Sequence, residues 1–527
     1  MKTIILANAS VHTYDPQLPY VEAVAVRDGA ILDAGSSEKI IARFGDSAEI
    51  VDLNGMTVLP GFTDSHLHLL EYGLSLQRIR CDFLSMDACL DLVHKEVKRA
   101  ETKQWILGHG WDHNLLEGAS PQKEDLDRIA PGHPVYLTHK SLHSAWVNST
   151  ALRSAGITVN TEDPPGGKIG RNRESMPSGI LYESAMRMVE KVIPSPDKKT
   201  KRNALLKAQK ELLKFGITSV HDFDQWECLS LLQEIESEGK LQIRVLKGIP
   251  YDDLDIAIEQ GLKSGEGSSW IKIGWLKLFA DGALGTQTAA MLTPYDHSTS
   301  KGMLFLNSHD VLEIGRKALK MGICPAIHAI GDRANQVVIS GLEELKSEGL
   351  FQDSKFMPRI EHVQIIQRSD VRRMARMGIA ASMQPIHAIS DREMAETHWG
   401  ARCQDAYAWK SIYDAGVLLS FGSDAPVESP NPFWGLYAAI TRKPINPSKK
   451  KPSWYPEHCL SLGKALESYI INPQISAGNS QRGRISKGNP ADLVVISGDI
   501  YNMNIEQIKD LSPEKVMAGG QWCVNDN

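Results

Sequence analysis

From residue 243 onward the chain alternates between short apolar runs and helix-like segments, and that alternation leaves few folds open. The runs at 243–249, 271–279, 323–327, 360–366, 379–383 and 417–421 suit buried parallel strands, which read as nearly continuous apolar stretches. Between them lie helix-like segments such as 335–348 and 369–377. Repeated strand–helix units at this spacing require a parallel sheet, open or closed. An open doubly wound sheet is the alternative, but no Gly-rich phosphate loop follows a first strand. The expected fold is therefore α/β, a (β/α)8 TIM-type barrel.

The ends of the chain have a different texture. Val21-Glu-Ala-Val-Ala-Val-Arg leads through the turn Asp28-Gly29 into Ala30-Ile-Leu-Asp-Ala-Gly, a hairpin pattern. Ala491-Asp-Leu-Val-Val-Ile-Ser and the stretch from Val516 repeat it at the other end. The expected organisation is a small β-sandwich built from residues 1–58 and 479–527 around a barrel of residues 59–478. An insertion at about 69–204 follows the first barrel strand, as a mixed segment beside the barrel mouth that shapes a substrate pocket. A length of 527 residues fits one large domain and a smaller one.

Charge and cysteine usage narrow the function. The formal net charge of -6 gives no basic surface for nucleic acid or an anionic membrane. No apolar run approaches the roughly 18 residues of a membrane span. The opening residues turn polar at Asn8, Ser10 and His12, too soon for a signal peptide, so 4–7 is read as a strand. The 7 cysteines are scattered without a CxxC pair, which suits reduced thiols in the cytoplasm and argues against a Cys-ligated metal. The basic run Lys449 to Lys451, beside prolines, is expected as a solvated loop. A small-molecule substrate and a second copy of the chain, in a homodimer, are the expected partners.

Five segments carry chemistry. Pro60-Gly-Phe-Thr-Asp-Ser-His-Leu-His closes a strand with His66 and His68 on one face, where two imidazoles can grip one divalent ion. Trp275-Leu-Lys-Leu-Phe-Ala-Asp places Lys277 inside an apolar strand. A buried lysine must be paired or chemically altered. It either forms a salt bridge, with Asp281 as partner, or reacts with CO2 to give an anionic carbamate; spacing alone favours the salt bridge. His328 and His362 each end an apolar run, and either alone reads as a structural histidine. Asp424, after the last run, reads alone as a helix cap. Together these residues fall on separate strands of one array and supply N and O ligands suited to zinc or a similar ion.

In that order the residues resemble the amidohydrolase superfamily. The nearest likeness is its amidohydrolase-3 branch, the YtcJ-like hydrolases that include N-substituted formamide deformylases. The segments that carry the likeness span nearly the whole chain. They are Gly61-Phe-Thr-Asp-Ser-His-Leu-His, the lysine strand through Gly285-Thr-Gln-Thr-Ala, His328-Ala-Ile-Gly-Asp, Glu361-His362, Met383-Gln-Pro-Ile-His387 and Gly422-Ser-Asp-Ala-Pro-Val. In the inserted region they are Gly110-Trp-Asp, His143-Ser-Ala-Trp and Asp163-Pro-Pro-Gly-Gly-Lys, and near the end Lys487-Gly-Asn-Pro-Ala-Asp-Leu-Val-Val. Thr286-Gln287 departs from the branch, which often has Ser-Arg there.

The resemblance implies a centre of up to two divalent metals, with zinc expected. His66, His68 and Asp424 would hold one and His328 and His362 the other, with a CO2-derived carbamate on Lys277 between them. It implies attack of a metal-bound hydroxide on a non-peptide amide of an N-acyl or N-formyl small molecule, with Asp424 carrying the proton. Trp111, His143 and His387 are candidate pocket or oxyanion contacts. Cyclic amide or ester hydrolysis, and deamination, are the alternatives within the fold. Many deaminases of the fold carry a Glu three residues after the histidine matching His328; here that position is Gly331. Relatives that have lost their ligands serve as structural or interaction proteins, whereas here all the ligand positions are filled.

Overall fold

The computed structural model describes residues 2–81, 85–111, 121–139, 144–446 and 451–523. The chain divides into two compact units: Gly73–Ala204, and the residues up to Tyr72 together with those from Leu205 onward.

The larger unit is built on eight parallel strands in sequence order: β1 (Phe62–Leu67), β2 (Ile217–Asp222), β3 (Arg244–Pro250), β4 (Ile271–Phe279), β5 (Pro325–Ala329), β6 (Arg359–His362), β7 (Ala380–Met383) and β8 (Leu419–Phe421). The seam between β8 and β1 is drawn together just beyond the strands, where Asp424 N–H donates to His66 O (2.7 Å) and His68 N–H to Ala425 O (2.8 Å). Gly422 makes that approach possible, since a Cβ there would lie 2.5 Å from His66 N. The result is the nearly closed barrel expected from the alternation.

Two strands differ from the sequence reading for identifiable reasons. β2 is wholly buried yet contains Thr218, Ser219, His221 and Asp222, so no apolar run announces it. β6 ends at His362, short of the expected 366, because His362 and Val363 adopt φ of 75° and 44° and turn the chain out of the sheet. The helices follow their patterns closely. Ser308–Lys320 starts at an Asn307 capping box with Asp310 and buries Val311, Leu312, Gly315, Ala318 and Leu319, one stripe at helical spacing.

Both chain ends enter two further sheets. One runs Ala30–Gly35, Ala23–Arg27, Ile4–Ala7, Glu49–Asp52; the other runs Gln521–Trp522, Pro513–Ala518, Leu493–Ile496, Thr57–Pro60, Ser10–His12, Tyr20–Val21. Leu6, Val24, Val58, Leu493 and Met517 from both sheets share one apolar cluster. The Asp28-Gly29 turn takes φ of 53° and 81°, as a two-residue hairpin requires.

The smaller unit holds a six-stranded mixed sheet. Its Ile106–Trp111 and Val135–His139 strands are parallel, and Val135–His139, Ser144–Val147 and Pro177–Glu183 are antiparallel. Among the described residues no helix is long and apolar enough to cross a membrane.

Candidate metal centre

At the C-terminal ends of the barrel strands the side chains stop being apolar. His66 and His68 leave β1 on one face, and Asp424 follows β8 across the seam. Asp424 Oδ1 lies 3.6 Å from His66 Nε2 and 3.4 Å from His68 Nε2. The donor atoms of the three side chains lie within 4.8 Å of one another. Asp424 holds φ at 61°, an unusual value for a non-glycine residue, which aims its carboxylate inward. The helix that follows it, Pro432–Thr441, is capped by Asn431 instead.

The other imidazoles continue the cluster. Ring centroids of His66 and His362 are 4.8 Å apart, and those of His362 and His328 4.6 Å. The positive φ at His362 breaks the alternation of β6, so Glu361 and His362, neighbours in sequence, both reach the site. His66 Nδ1 donates to Glu361 Oε2 (2.7 Å), and His362 Nδ1 donates to Gln384 Oε1 (2.8 Å). Each ring is thereby oriented with Nε2 left over, the arrangement that presents histidines to a metal. His328 is turned the other way: its Nε2 donates to Gly282 O (3.0 Å), leaving Nδ1.

Burial sets the protonation. It depresses His66 to about 4 and His328 to about 3, with the nearby Lys277 ammonium pushing the same way, so both are neutral imidazoles at physiological pH. His362 is likewise held well below its ordinary value, by burial and then by His328 and His66. His68 goes the other way: burial opposes its charge, but the carboxylates of Asp224 and Asp424 outweigh it and lift it to about 10. Asp424 is thus charge-compensated by the His68 imidazolium.

Lys277 projects from β4 and is buried. The expected partner, Asp281, is committed elsewhere: it accepts from the backbone N–H of Ala290 (2.8 Å), Ile330 (3.0 Å) and Gly331 (2.8 Å). Among the described residues Lys277 Nζ has no ion pair and no hydrogen bond; it lies over the rings of Phe223 (4.8 Å) and Phe279 (5.0 Å). The salt-bridge alternative is therefore not what the fold builds. Burial lowers Lys277 to about 8.

His387 sits on the short helix Pro385–Ser390 with Nε2 3.9 Å from Asp424 Oδ2. Its Nδ1 accepts from Gln364 Nε2 (3.3 Å), so Nε2 carries the ring hydrogen, and that buried atom has no partner among the described residues. Trp111 belongs to the core of the smaller unit, where its indole N–H donates to Leu137 O (2.9 Å) and is not free for a substrate. His143 and the start of the basic run, Lys449 and Lys450, lie outside the described residues.

Three residues at the site went unremarked in the sequence. Asp224, just past β2, has Oδ1 3.7 Å from His68 Nδ1. Glu361 and Gln384 lie inside motifs already quoted, but only the turn at His362 shows why they matter. A second acidic group, Asp222, Asp224 and Cys228, has metal-like spacing. It is served by the chain itself, since the Lys247 ammonium lies 3.2 Å from Asp222 Oδ2 and donates to Asp224 O.

The imidazoles with their free nitrogens, the carboxylate beside them and the unpartnered His387 Nε2 fit a divalent ion with a ligand next to it. A parallel barrel with such a cluster at its C-terminal end is the architecture of a metal-dependent hydrolase. The chain belongs to the amidohydrolase family, whose family model matches residues 49–524. The YtcJ protein of Bacillus subtilis (strain 168) is 32% identical over 517 residues, 95% of each chain. N-substituted formamide deformylase of Arthrobacter pascens is 26% identical, covering 99% of this chain and 98% of the relative. Among solved structures, a metal-dependent hydrolase from Pyrococcus furiosus superposes with a TM-score of 0.78 at 28% identity, covering 95% of this chain and 100% of that one.

Proposed function

We propose that this amidohydrolase cleaves a carbon–nitrogen bond of a small N-acyl or N-formyl amide. The observation that carries the reading is Asp424, whose two oxygens face different partners: Oδ1 the imidazoles of His66 and His68, Oδ2 the unpartnered Nε2 of His387. His66, His68 and Asp424 would hold one divalent ion, with zinc favoured by the N/O donor set. His328 and His362 would hold a second, and Lys277 would complete it as a carbamate. When bound, such an ion brings the pKa of water toward about 7 and polarises a carbonyl oxygen.

The protein's own groups then divide the work. Water adds to the amide carbon, and its proton passes to Asp424 Oδ2. The C–N bond breaks as that proton is delivered to the leaving nitrogen, so a carboxylic acid and an amine are formed. His387 Nε2–H donates to the oxygen on which charge develops. The Lys277 ammonium would first lose one proton to become an amine, and addition of that Nζ lone pair to CO2 would release a second, which turns a buried cation into an anion among imidazoles. Deamination is disfavoured by Gly331: a Cβ there would lie 2.0 Å from Ala290 O, so the backbone leaves no room for the glutamate of that branch.

Screening metal-loaded protein against N-formyl, N-acyl and cyclic amides and simple esters tests the reading. Release of an amine from the first two classes is expected. Turnover confined to esters or to cyclic amides would replace the substrate class, and no hydrolysis with full metal loading would overturn the reading.

A further inference from the structure

The opposite end of the barrel, where the strands begin, carries a cavity of about 450 Å³, a volume typical of small-ligand sites. Its walls come from the starts of β3 and β4, the loops before β4 and β6, and the segment around 477–482 that leaves the last barrel helices. Cations converge on it. Arg244 Nη1 (2.8 Å) and Arg482 Nη2 (3.2 Å) both donate to the carbonyl of Ser269, which brings two guanidinium groups to one atom. Arg244 is neutralised by Asp492, at 2.6 and 3.1 Å, and stacks on Trp270. Among the described residues Arg482 is in no ion pair.

Lys263, Lys272 and Lys355 line the same space, and among the described residues none of them is in an ion pair. Glu266 and Asp353 also line it, yet neither has folded against a lysine. Lys272 and Arg482 are half-buried, so solvent screens them incompletely. Burial, then Arg482 and Lys355, holds Lys272 below its ordinary value, a sign that these groups repel one another in the cavity. Unpaired like charges that converge on a half-open cavity, with Lys355 at its exposed rim, are stabilised by an anion that answers several of them at once.

We propose that this cavity binds a doubly charged oxyanion, held by Lys272, Lys355 and Arg482, at the end of the barrel remote from the metal cluster. Neither a metal nor the hydrolytic residues take part. The site would tie the 477–482 segment to the starts of β3 and β4, so occupancy would stabilise the barrel rather than supply chemistry.

The test uses metal-loaded full-length protein in chloride buffer, titrated with inorganic phosphate, sulfate or succinate at matched ionic strength. Thermal melting and calorimetry are read for the wild type and for Lys272→Gln, Lys355→Gln and Arg482→Gln. A saturable rise in Tm is expected with at least one anion, and each variant should weaken its Kd about tenfold or more. Phosphate and sulfate acting without succinate would assign a tetrahedral anion; succinate acting alone would assign a dicarboxylate. In chloride alone, Lys272→Gln should melt at or above the wild type, because a repulsive charge has been removed. Equal Kd in all four proteins would place the anion at the metal end and overturn the proposal. So would the absence of any shift beyond that of chloride, or a Lys272→Gln protein that melts lower without anion.

Discussion

The two halves of the candidate metal cluster are prepared to different degrees. On the β1–β8 side, His66, His68 and Asp424 already lie within one ion's reach, and carboxylates stand behind both rings: Glu361 behind His66 and Asp224 behind His68. On the β4–β6 side, His328 is fixed by a backbone carbonyl, His362 by an uncharged amide, and the remaining group, Lys277, is a cation. An ammonium repels the ion that the two imidazoles could hold. The first half would need only the His68 proton to be displaced by an ion, whereas the second would need Lys277 to pass from cation to anion. The contrast teaches that the two positions should differ in affinity and in what they need in order to fill.

The largest effect should come from the residue the first half cannot lose. Asp424→Asn keeps the size and hydrogen-bonding shape of the side chain but removes its proton affinity, so turnover should fall by about 10²–10⁴-fold with the fold retained. Steady-state kinetics together with circular dichroism checks this. A well-folded variant with near-normal kcat would make Asp424 a structural residue and collapse the distinction between the halves.

Lys277→Ala separates the halves directly. Loss of the second equivalent of metal is expected, from close to two per chain to close to one, with most of the activity. Formate or acetate should restore part of both, because a small carboxylate can occupy the vacated space. Elemental analysis and rescue kinetics read the result. Intact mass under native conditions, or electron density at Nζ, reads the carbamate itself; an unmodified amine in metal-replete protein would remove the bridge from the proposal.

Glu361 couples the first half to the core. It takes the His66 ring on one oxygen and Arg359, itself fully buried, on the other at 2.5 Å. Glu361→Gln should therefore act twice, lowering metal affinity by about 10–100-fold and destabilising the apo fold through the uncompensated guanidinium, by about 3–5 kcal/mol. Metal titration and denaturant melts separate the two losses. A variant that loses stability but binds metal normally would leave Glu361 a partner of Arg359 alone.

Much of this was legible in the sequence, for physical reasons that also mark where legibility stops. Strand alternation and the order of the apolar runs are local properties, so the barrel and the inward face of His66 and His68 could be read directly. β2 could not, because its buried polar residues carry no apolar signal. Nor could the joint approach of Glu361 and His362, which needs a left-handed backbone at His362 that alternation would forbid. The Lys277–Asp281 pair looked natural at a spacing of four residues. It fails because Asp281 lies beyond the end of β4 and is claimed by three backbone N–H groups from other loops, a tertiary fact that spacing cannot carry. The fit of Gly331 against Ala290 is of the same kind.

The smallest effect should come from the support of the second half. Among the described residues the Gln384 side chain makes one hydrogen bond, to His362, and it joins uncharged groups. Gln384→Met removes that bond while keeping most of the volume, so stability should change little. The His362 ring would be free to rotate, and the second metal should bind about tenfold more weakly, the lower end of what a supporting contact contributes. The first metal, held by residues that Gln384 does not touch, should keep its affinity. Competition with a chelator, followed as metal per chain at increasing chelator concentration, resolves the two steps. Two equal steps, both shifted by the variant, would mean that the halves fill as one unit and that the asymmetry between them is confined to the metal-free protein.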